Sequence, residues 1–220
     1  MIAMISNVKW EATGQDRLVW VEEDLQEYTV KSSYSILNCE DLMQISETFQ
    51  VLWSLKVAPS VLVCAWRLVL DRLPTRSNLA RRGVQLGSVQ CLLCQEHVET
   101  AKHLFNTCRV ARKVWDMCDK WVRNVVVRHE STFVNFQSYC LLSQRKEVNR
   151  VWKGMWVPIV SEIWNLRNKV VFKGGLVDAE EIFCLAQLKV GFWFKFKLKR
   201  TTFSYSDWHL SPMVCLHAMA

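Results

Sequence analysis

Apolar residues recur at helical spacing through much of the second half of the chain. The clearest run comprises Val148, Val151, Trp152, Met155, Trp156, Ile159, Val160, Ile163 and Trp164. Spacings of three and four residues place these side chains on one face, so the run predicts a long amphipathic helix. Pro158 lies inside this run and is the expected position of a kink. A second run, Ile182 to Phe196, follows a capping-box-like pair and predicts a last helix.

The central part of the chain carries helix signals of its own. Apolar spacing predicts a helix that begins at Pro59, a residue suited to a first helical position, and another over 110–125. Between them, Thr75 can cap a short helix that ends at Gly83. These patterns, with few glycines and prolines between them, predict a mainly α-helical chain.

Near the N-terminus the pattern changes to short β-prone runs. Leu18–Val21 and Tyr28–Val30 predict one small β-hairpin. A polar break at 129–132 separates the central region from the two long helices. We therefore predict two regions, residues 16–128 and residues 133–212, in a mainly α fold with one N-terminal hairpin.

Four residues in the central region have the spacing of a metal site. Cys91 and Cys94 are two residues apart, and His103 and Cys108 follow in the order C-x2-C-x8-H-x4-C. Three thiolates and an imidazole complete a tetrahedral shell, which is typical of structural Zn²⁺ sites and leaves no open position for a substrate. Thr100 can cap a short helix over 101–107 that would carry His103, while the polar stretch 95–99 suits a turn.

His97 is the alternative fourth ligand. It lies so close to Cys94 that a shared ion would strain the loop, so we interpret it as an exposed histidine. The other cysteines are scattered among mostly apolar neighbours: Cys39, Cys64, Cys118, Cys140, Cys184 and Cys215. With nine cysteines, an odd number, and no signal peptide, the pattern predicts free thiols in a reducing, intracellular compartment, the nucleus or the cytoplasm.

The net charge of +7 is unevenly distributed. Residues 1–50 contain 3 Lys and Arg against 9 Asp and Glu, so the positive charge belongs to the rest of the chain. Basic residues flank the metal motif on both sides: Arg72, Arg76, Arg81, Arg82, Arg109, Arg112 and Lys113. Guanidinium groups suit phosphate, so this cluster is a candidate nucleic-acid-binding surface. The alternative is ordinary helix surface, since cations are favoured at helix C-termini.

The sequence around the metal motif resembles a known family. The segments PSVLVCAWRLVLDRLPTRSNLARRGV and CLLCQEHVETAKHLFNTCRVARKVW are similar to the zinc-binding region that follows the reverse transcriptase domain of plant non-LTR (LINE-type) retrotransposons. The resemblance covers roughly residues 16–212 and implies a C-terminal fragment of such a protein. It also implies structural Zn²⁺ and contact with RNA or DNA near a polymerase domain.

The chain departs from this family at several positions. Leu92 stands where a proline commonly follows the first cysteine, and Gln95 where a glycine follows the second. Neither change removes a ligand. The paired aspartates of a polymerase are absent, and no nuclease carboxylate set or nucleophile–base pair is recognisable, so we predict a protein that is not an enzyme.

Three interpretations of function remain open at the level of sequence. The first is a zinc-stabilised nucleic-acid-binding module. The second is a scaffold whose apolar helices dock on a reverse transcriptase domain, and the third is a retroelement relic without selected function. No small-molecule substrate is expected. No membrane partner is expected either, since the longest apolar stretch, 57–70, is too short to span a bilayer.

Overall fold

The computed structural model describes Val30 and residues 39–123, 129–197 and 203–220. The chain divides into two compact units, Met1–Glu47 and Thr48–Ala220. Within the described part the structure is mainly helical and contains no β-sheet; an isolated antiparallel bridge joins Gln90 and Val98.

Nine α-helices and one π-helical turn are present in the described ranges. They are α1 (Cys39–Ser54), α2 (Pro59–Val69), α3 (Arg76–Arg81), the π-helical turn (His103–Thr107), α4 (Arg109–Val122), α5 (Thr132–Ser138), α6 (Lys146–Lys173), α7 (Ala179–Lys197), α8 (Tyr205–Leu210) and α9 (Pro212–Met219). The two long helices expected from the apolar spacing are thus α6 and α7. Helix α6 continues through Pro158.

Local sequence explains several helix ends. Pro59 occupies the first turn of α2, where no amide hydrogen is needed. The Thr75 hydroxyl accepts a hydrogen bond from the backbone N–H of Asn78 and caps α3, and Gly83 follows this helix with a φ of +81°. Ser204 and Asp207 form a reciprocal capping box at α8, which the sequence interpretation missed.

Aromatic residues fill the core of the Thr48–Ala220 unit. Trp115, Trp152, Trp156 and Trp208 are at most 1% exposed. Helices α6 and α7 pack along each other, and the buried Glu162 carboxylate accepts a hydrogen bond from Lys189 Nζ at 2.6 Å across their interface. The site described below is therefore attached to a substantial hydrophobic core.

The predicted division near 129–132 lies within this second unit. Helix α4 precedes the break, and it packs against α7, which follows it. No finding tests the division into residues 16–128 and residues 133–212, so this division stays a prediction. The predicted hairpin, Leu18–Val21 and Tyr28–Val30, lies outside the described residues except for Val30, which is helical.

In the described part of the chain, every helix is too short or too polar to cross a membrane.

Candidate metal centre and basic surface

The four residues of the metal motif converge in the structure. One potential ligand atom from each of Cys91, Cys94, His103 and Cys108 lies within 4.8 Å of the others, and all four residues are buried. The Cys94 Sγ and His103 Nε2 atoms are 3.2 Å apart. The structure thus brings together the whole set that the spacing predicted.

Cys91 and Cys94 are positioned by a tight loop. The backbone N–H of Cys91 donates to the His97 carbonyl at 2.7 Å, and the N–H of Gln95 donates to the Cys91 carbonyl at 2.7 Å. Gln95 has a φ of +59°, a left-handed conformation that favours glycine. The conformation of this loop therefore suits glycine at position 95 better than glutamine.

His103 and Cys108 are supplied by the π-helical turn. Thr100 caps the turn by accepting the His103 N–H at 3.0 Å, as expected, and the Cys108 N–H donates to the His103 carbonyl at 2.7 Å. This i to i+5 bond replaces the α-helical ladder and places both ligands on the same side; π-turns recur at functional sites. His103 Nδ1 lies 3.2 Å from Thr107 Oγ1, so Thr107 can fix the ring while Nε2 faces the sulfurs.

The protonation properties of the cluster follow from burial and from the contacts among its members. A hydrogen bond between Cys91 and Cys108, together with burial, raises the pKa of Cys91, and the same hydrogen bond lowers the pKa of Cys108. Burial is the main cause that lowers the pKa of His103 below its usual value, and the neighbouring His97 lowers this pKa further. The imidazole is therefore held neutral near pH 7, which is the form that binds a metal ion.

The donor set fits Zn²⁺. Tetrahedral zinc with metal–ligand bonds of about 2.0–2.3 Å needs ligand atoms about 3.3–3.8 Å apart. The Cys94 Sγ and His103 Nε2 atoms, 3.2 Å apart, are already close to this separation, and all four ligand atoms lie within 4.8 Å of one another. All four residues of the set are buried, with at most 7% of their surface exposed. Zinc here would hold the loop, the π-helical turn and the start of α4 together.

Glu99 is a buried residue of this region. It ends the polar stretch 95–99, and its side chain is fully buried. Its Oε1 atom accepts hydrogen bonds from the backbone N–H of Arg76 at 2.9 Å and from Arg167 Nε and an Arg167 terminal nitrogen at 3.1 and 2.8 Å. Arg167 belongs to α6, so this pair fastens the metal loop to the long helix.

The predicted basic residues differ in their surroundings. Arg76 is half-buried, and its guanidinium donates to the carbonyls of Ser88 and Gln90 at 3.1 and 3.3 Å, so it holds the chain just before Cys91. Arg81 forms an exposed ion pair with Asp71 at 3.0 Å. Arg76 therefore stabilises the chain before the metal loop, whereas the Arg81 side chain lies at the surface.

The predicted basic residues that follow Cys108 are exposed on α4: Arg109, Arg112 and Lys113. Arg109 pairs with Glu96 at 3.2 Å, and Lys113 pairs with Glu180 at 3.4 Å. Three further predicted cations are exposed and make no ion pair within the described part of the chain: Arg72, Arg82 and Arg112. Exposed pairs of this kind contribute little to stability, so their cations can exchange partners.

A polar cleft of about 390 Å³ adjoins the metal centre. Its walls include Arg81 and Lys102 together with the hydroxyl groups of Ser77, Thr100, Ser131 and Thr132. Lys102 pairs with Glu130, and it is the main cause of a lowered Glu130 pKa, to which Arg112 contributes as well. Arg81 and Lys102 therefore lie in one cleft, and the exposed Arg112 lies near enough to Glu130 to act on its carboxylate. Lys102 was missed in the sequence, although its position beside His103 was a usable signal.

The other cysteines in the described part of the chain form no disulfide. Cys118 and Cys215 are buried, and Cys64 and Cys140 are half-buried. Cys184 is exposed.

Comparison with family models identifies one match. Residues 28–115 match the family described as zinc-binding in reverse transcriptase. Comparisons with curated proteins and with solved structures found no match. The matched range contains the whole Cys/His cluster. Residues 28–115 are therefore similar to the zinc-binding region of reverse transcriptases, and the converging ligands lie within this matched range.

Proposed function

We propose that this chain is a zinc-stabilised, non-catalytic nucleic-acid-binding module from the reverse transcriptase of a plant LINE-type retrotransposon. The zinc-binding match and the Cys/His cluster support the first part of this proposal. Binding to RNA or DNA, the plant LINE-type origin and an intracellular location extend beyond those findings. They rest on the sequence resemblance and on the basic surface beside the metal centre.

The observation that carries nucleic-acid binding is the succession of Arg81, Lys102 and Arg112 along the metal centre. Arg81 and Lys102 line the same polar cleft, and Lys102 and Arg112 both act on Glu130. The hydroxyl groups of the cleft can donate to phosphate oxygens, and such contacts hold a strand without reading its sequence. Zinc would fix the loop and the turn that present these cations.

We expect the acidic partners to be displaced when a strand binds. Asp71 and Glu130 pair with Arg81 and Lys102 at the surface, where water and salt weaken the attraction. A polyanion offers several phosphates at once and releases counterions, which favours it over single carboxylates. The surface would therefore bind RNA or DNA with a steep dependence on salt and little preference for sequence.

The test is a salt series with fluorescent single-stranded RNA and DNA of two different sequences. A triple variant, Arg81→Gln, Lys102→Gln and Arg112→Gln, should weaken binding about equally for all four strands. It should flatten the plot of log K against log salt by about two to three units if all three residues contact phosphates.

The matched control removes three positive charges at the two ends of α6. Arg145, Lys146 and Lys173 are exposed, and their triple change to Gln should leave the salt slope as it is in the parent. Equal slopes for the parent and for the Arg81, Lys102 and Arg112 variant would contradict nucleic-acid binding at this surface.

A second function is favoured by an exposed apolar stripe on α7. Leu185, Leu188, Phe192 and Phe196 recur at helical spacing with 36–66% of their surface exposed. A groove of about 280 Å³ beside Phe192 is lined also by Phe203 and Tyr205. We propose that a reverse transcriptase domain, the kind of protein in which the matched family occurs, would dock on this stripe.

The docking proposal has its own experiment. Phe192→Asp should abolish co-sedimentation with a purified LINE-type reverse transcriptase domain, whereas Leu210→Asp, at an exposed apolar position outside the stripe, should leave it unchanged. Co-sedimentation that is equal for the two variants would contradict docking on α7. Because the two variants leave Arg81, Lys102 and Arg112 in place, this result is independent of the salt series.

A further inference from the structure

A second group of metal-binding side chains lies on the exposed side of the zinc cluster. One potential ligand atom from each of Cys94, Glu96 and His97 lies within 4.8 Å of the other two, so the loop already brings Cys94 and His97 together and the strain expected from their closeness in sequence does not apply. Cys94 is buried and belongs to the zinc cluster, whereas Glu96 and His97 are exposed. The centroids of the His97 and His103 rings are 5.1 Å apart. The exposed group and the zinc cluster therefore lie side by side, and Cys94 belongs to both.

The backbone holds these three residues in place. The His97 carbonyl accepts the Cys91 N–H at 2.7 Å, and the bridge between Gln90 and Val98 closes the loop directly after His97. A loop fixed at both ends loses little conformational entropy when an ion binds. The exposed trio is thus attached to the same framework as the zinc cluster.

Electrostatics favours a second cation at this position. Zn²⁺ bound by three thiolates and a neutral imidazole carries a net charge of −1, and the Glu96 carboxylate adds another negative charge beside it. The opposing charge is Arg109, whose guanidinium lies 3.2 Å from Glu96 Oε1 and is 67% exposed. A divalent ion would therefore be attracted by the Cys94 thiolate and the Glu96 carboxylate, whose negative charge the exposed cations Arg109 and Arg112 only partly offset.

We propose that Cys94, Glu96 and His97 form a second, weaker and exchangeable site for Zn²⁺. The Cys94 thiolate bridges the two ions, the Glu96 carboxylate and the His97 imidazole complete three protein ligands, and water takes the fourth position. Thiolate, imidazole and carboxylate together suit Zn²⁺ better than Mg²⁺ or Ca²⁺. Three protein ligands with one solvent position are typical of zinc sites that stay accessible, in contrast to the closed structural site.

This proposal rests on zinc in the first site and not on nucleic-acid binding. The experiment uses the full chain loaded with one zinc, which native mass spectrometry verifies, and titrates further Zn²⁺ by calorimetry. The parent should bind one additional ion. His97→Ala and Glu96→Gln should each weaken that second event by at least about tenfold while the first zinc is retained.

Two further variants separate a built site from surface binding. Arg109→Ala removes the competing charge and should tighten the second event, which adventitious binding elsewhere would not show. Cys184→Ser removes an exposed thiol of another region and should leave the second event unchanged. If the His97→Ala variant also loses the first zinc, the titration is repeated with the His97→Gln variant.

Two results would overturn the proposal. One is the absence of a second event in the parent up to about 1 mM free Zn²⁺, a concentration that includes weak sites. The other is a second event of parental affinity in both the His97 and the Glu96 variants, which would mean adventitious surface zinc only. A chain that holds no first zinc at all would instead refute the Cys/His cluster itself.

Discussion

Arg167 and Glu99, separated by 68 residues in sequence, form a buried ion pair between the long helix α6 and the metal loop. Their side chains are 5% and 0% exposed, and two Arg167 nitrogens donate to the same Glu99 oxygen. The Arg167 guanidinium also lies 4.9 Å from the centre of the Trp164 ring. The metal loop is thus connected to the helical core by a charge pair that water does not reach.

Removing one partner of this pair should be strongly destabilising. Arg167→Met keeps much of the side-chain volume but leaves the Glu99 carboxylate buried without its cation, so the free energy of unfolding should fall by about 3–5 kcal/mol. Chemical denaturation of the zinc-loaded protein measures this change. The matched control is Lys169→Met on the same helix, whose pair with Glu181 is exposed and should contribute less than about 1 kcal/mol.

The double variant distinguishes loss of the pair from loss of packing. Glu99→Leu combined with Arg167→Met replaces both charges by apolar groups, so it should be more stable than Arg167→Met alone. A double variant that is less stable than both single variants would contradict the view that an unpaired charge causes the damage.

Gln95 is a position where a substitution should stabilise the protein. Its φ of +59° costs a non-glycine residue roughly 1–2 kcal/mol, while glycine costs about 0.5–1 kcal/mol in chain entropy. Gln95→Gly should therefore raise the free energy of unfolding by about 0.5–1 kcal/mol, measured by denaturation at saturating zinc. Gln90→Gly, in the same loop but not among the residues of positive φ, should not stabilise. Destabilisation by Gln95→Gly would contradict the loop geometry.

Lys153 should make stability depend on pH. Its Nζ atom donates to the carbonyls of Phe136 and Gln137, both at 2.7 Å, near the end of α5, and burial lowers the pKa of Lys153 to about 8. The unfolded chain keeps this proton up to its usual pKa of about 10.5. Between these two values the unfolded state binds more protons, so stability rises with pH.

Comparison of the parent with Lys153→Met isolates this contribution. The difference in the free energy of unfolding between the two proteins should shift in favour of the parent from pH 8 to pH 10.5, and it should be constant below pH 7. Lys120→Met, at an exposed position on α4, provides the control and should show no such shift. A parent-minus-variant difference that does not change with pH would show that Lys153 keeps an ordinary pKa.

The metal site was predictable from sequence because its information is local. Spacing alone identified Cys91, Cys94, His103 and Cys108, and Thr100 was recognised as a cap from its position before the short helix. The turn that carries His103 is π-helical, and no residue pattern distinguished this from an α-helix. Local rules therefore gave the ligands and the existence of the helix but not its hydrogen-bond type.

The long-range contacts were not predictable in this way. Glu99 stands among polar residues, and nothing near it indicates that Arg167 covers it from a helix 68 residues away. Lys102 likewise gained its place in the cleft from the approach of Arg81 and residues 131–132. Such positions depend on how helices pack, and periodicity determines which face is apolar but not which helix meets it.

The central claim, that zinc is held by the Cys/His cluster and holds this region together, is tested most directly by metal content. After dialysis against a weak chelator that strips exchangeable ions, the parent should retain one zinc per chain by native mass spectrometry. Cys91→Ser should retain none, while Cys184→Ser, which changes an exposed cysteine elsewhere, should retain one. One retained zinc in Cys91→Ser, or none in the parent, would contradict the account.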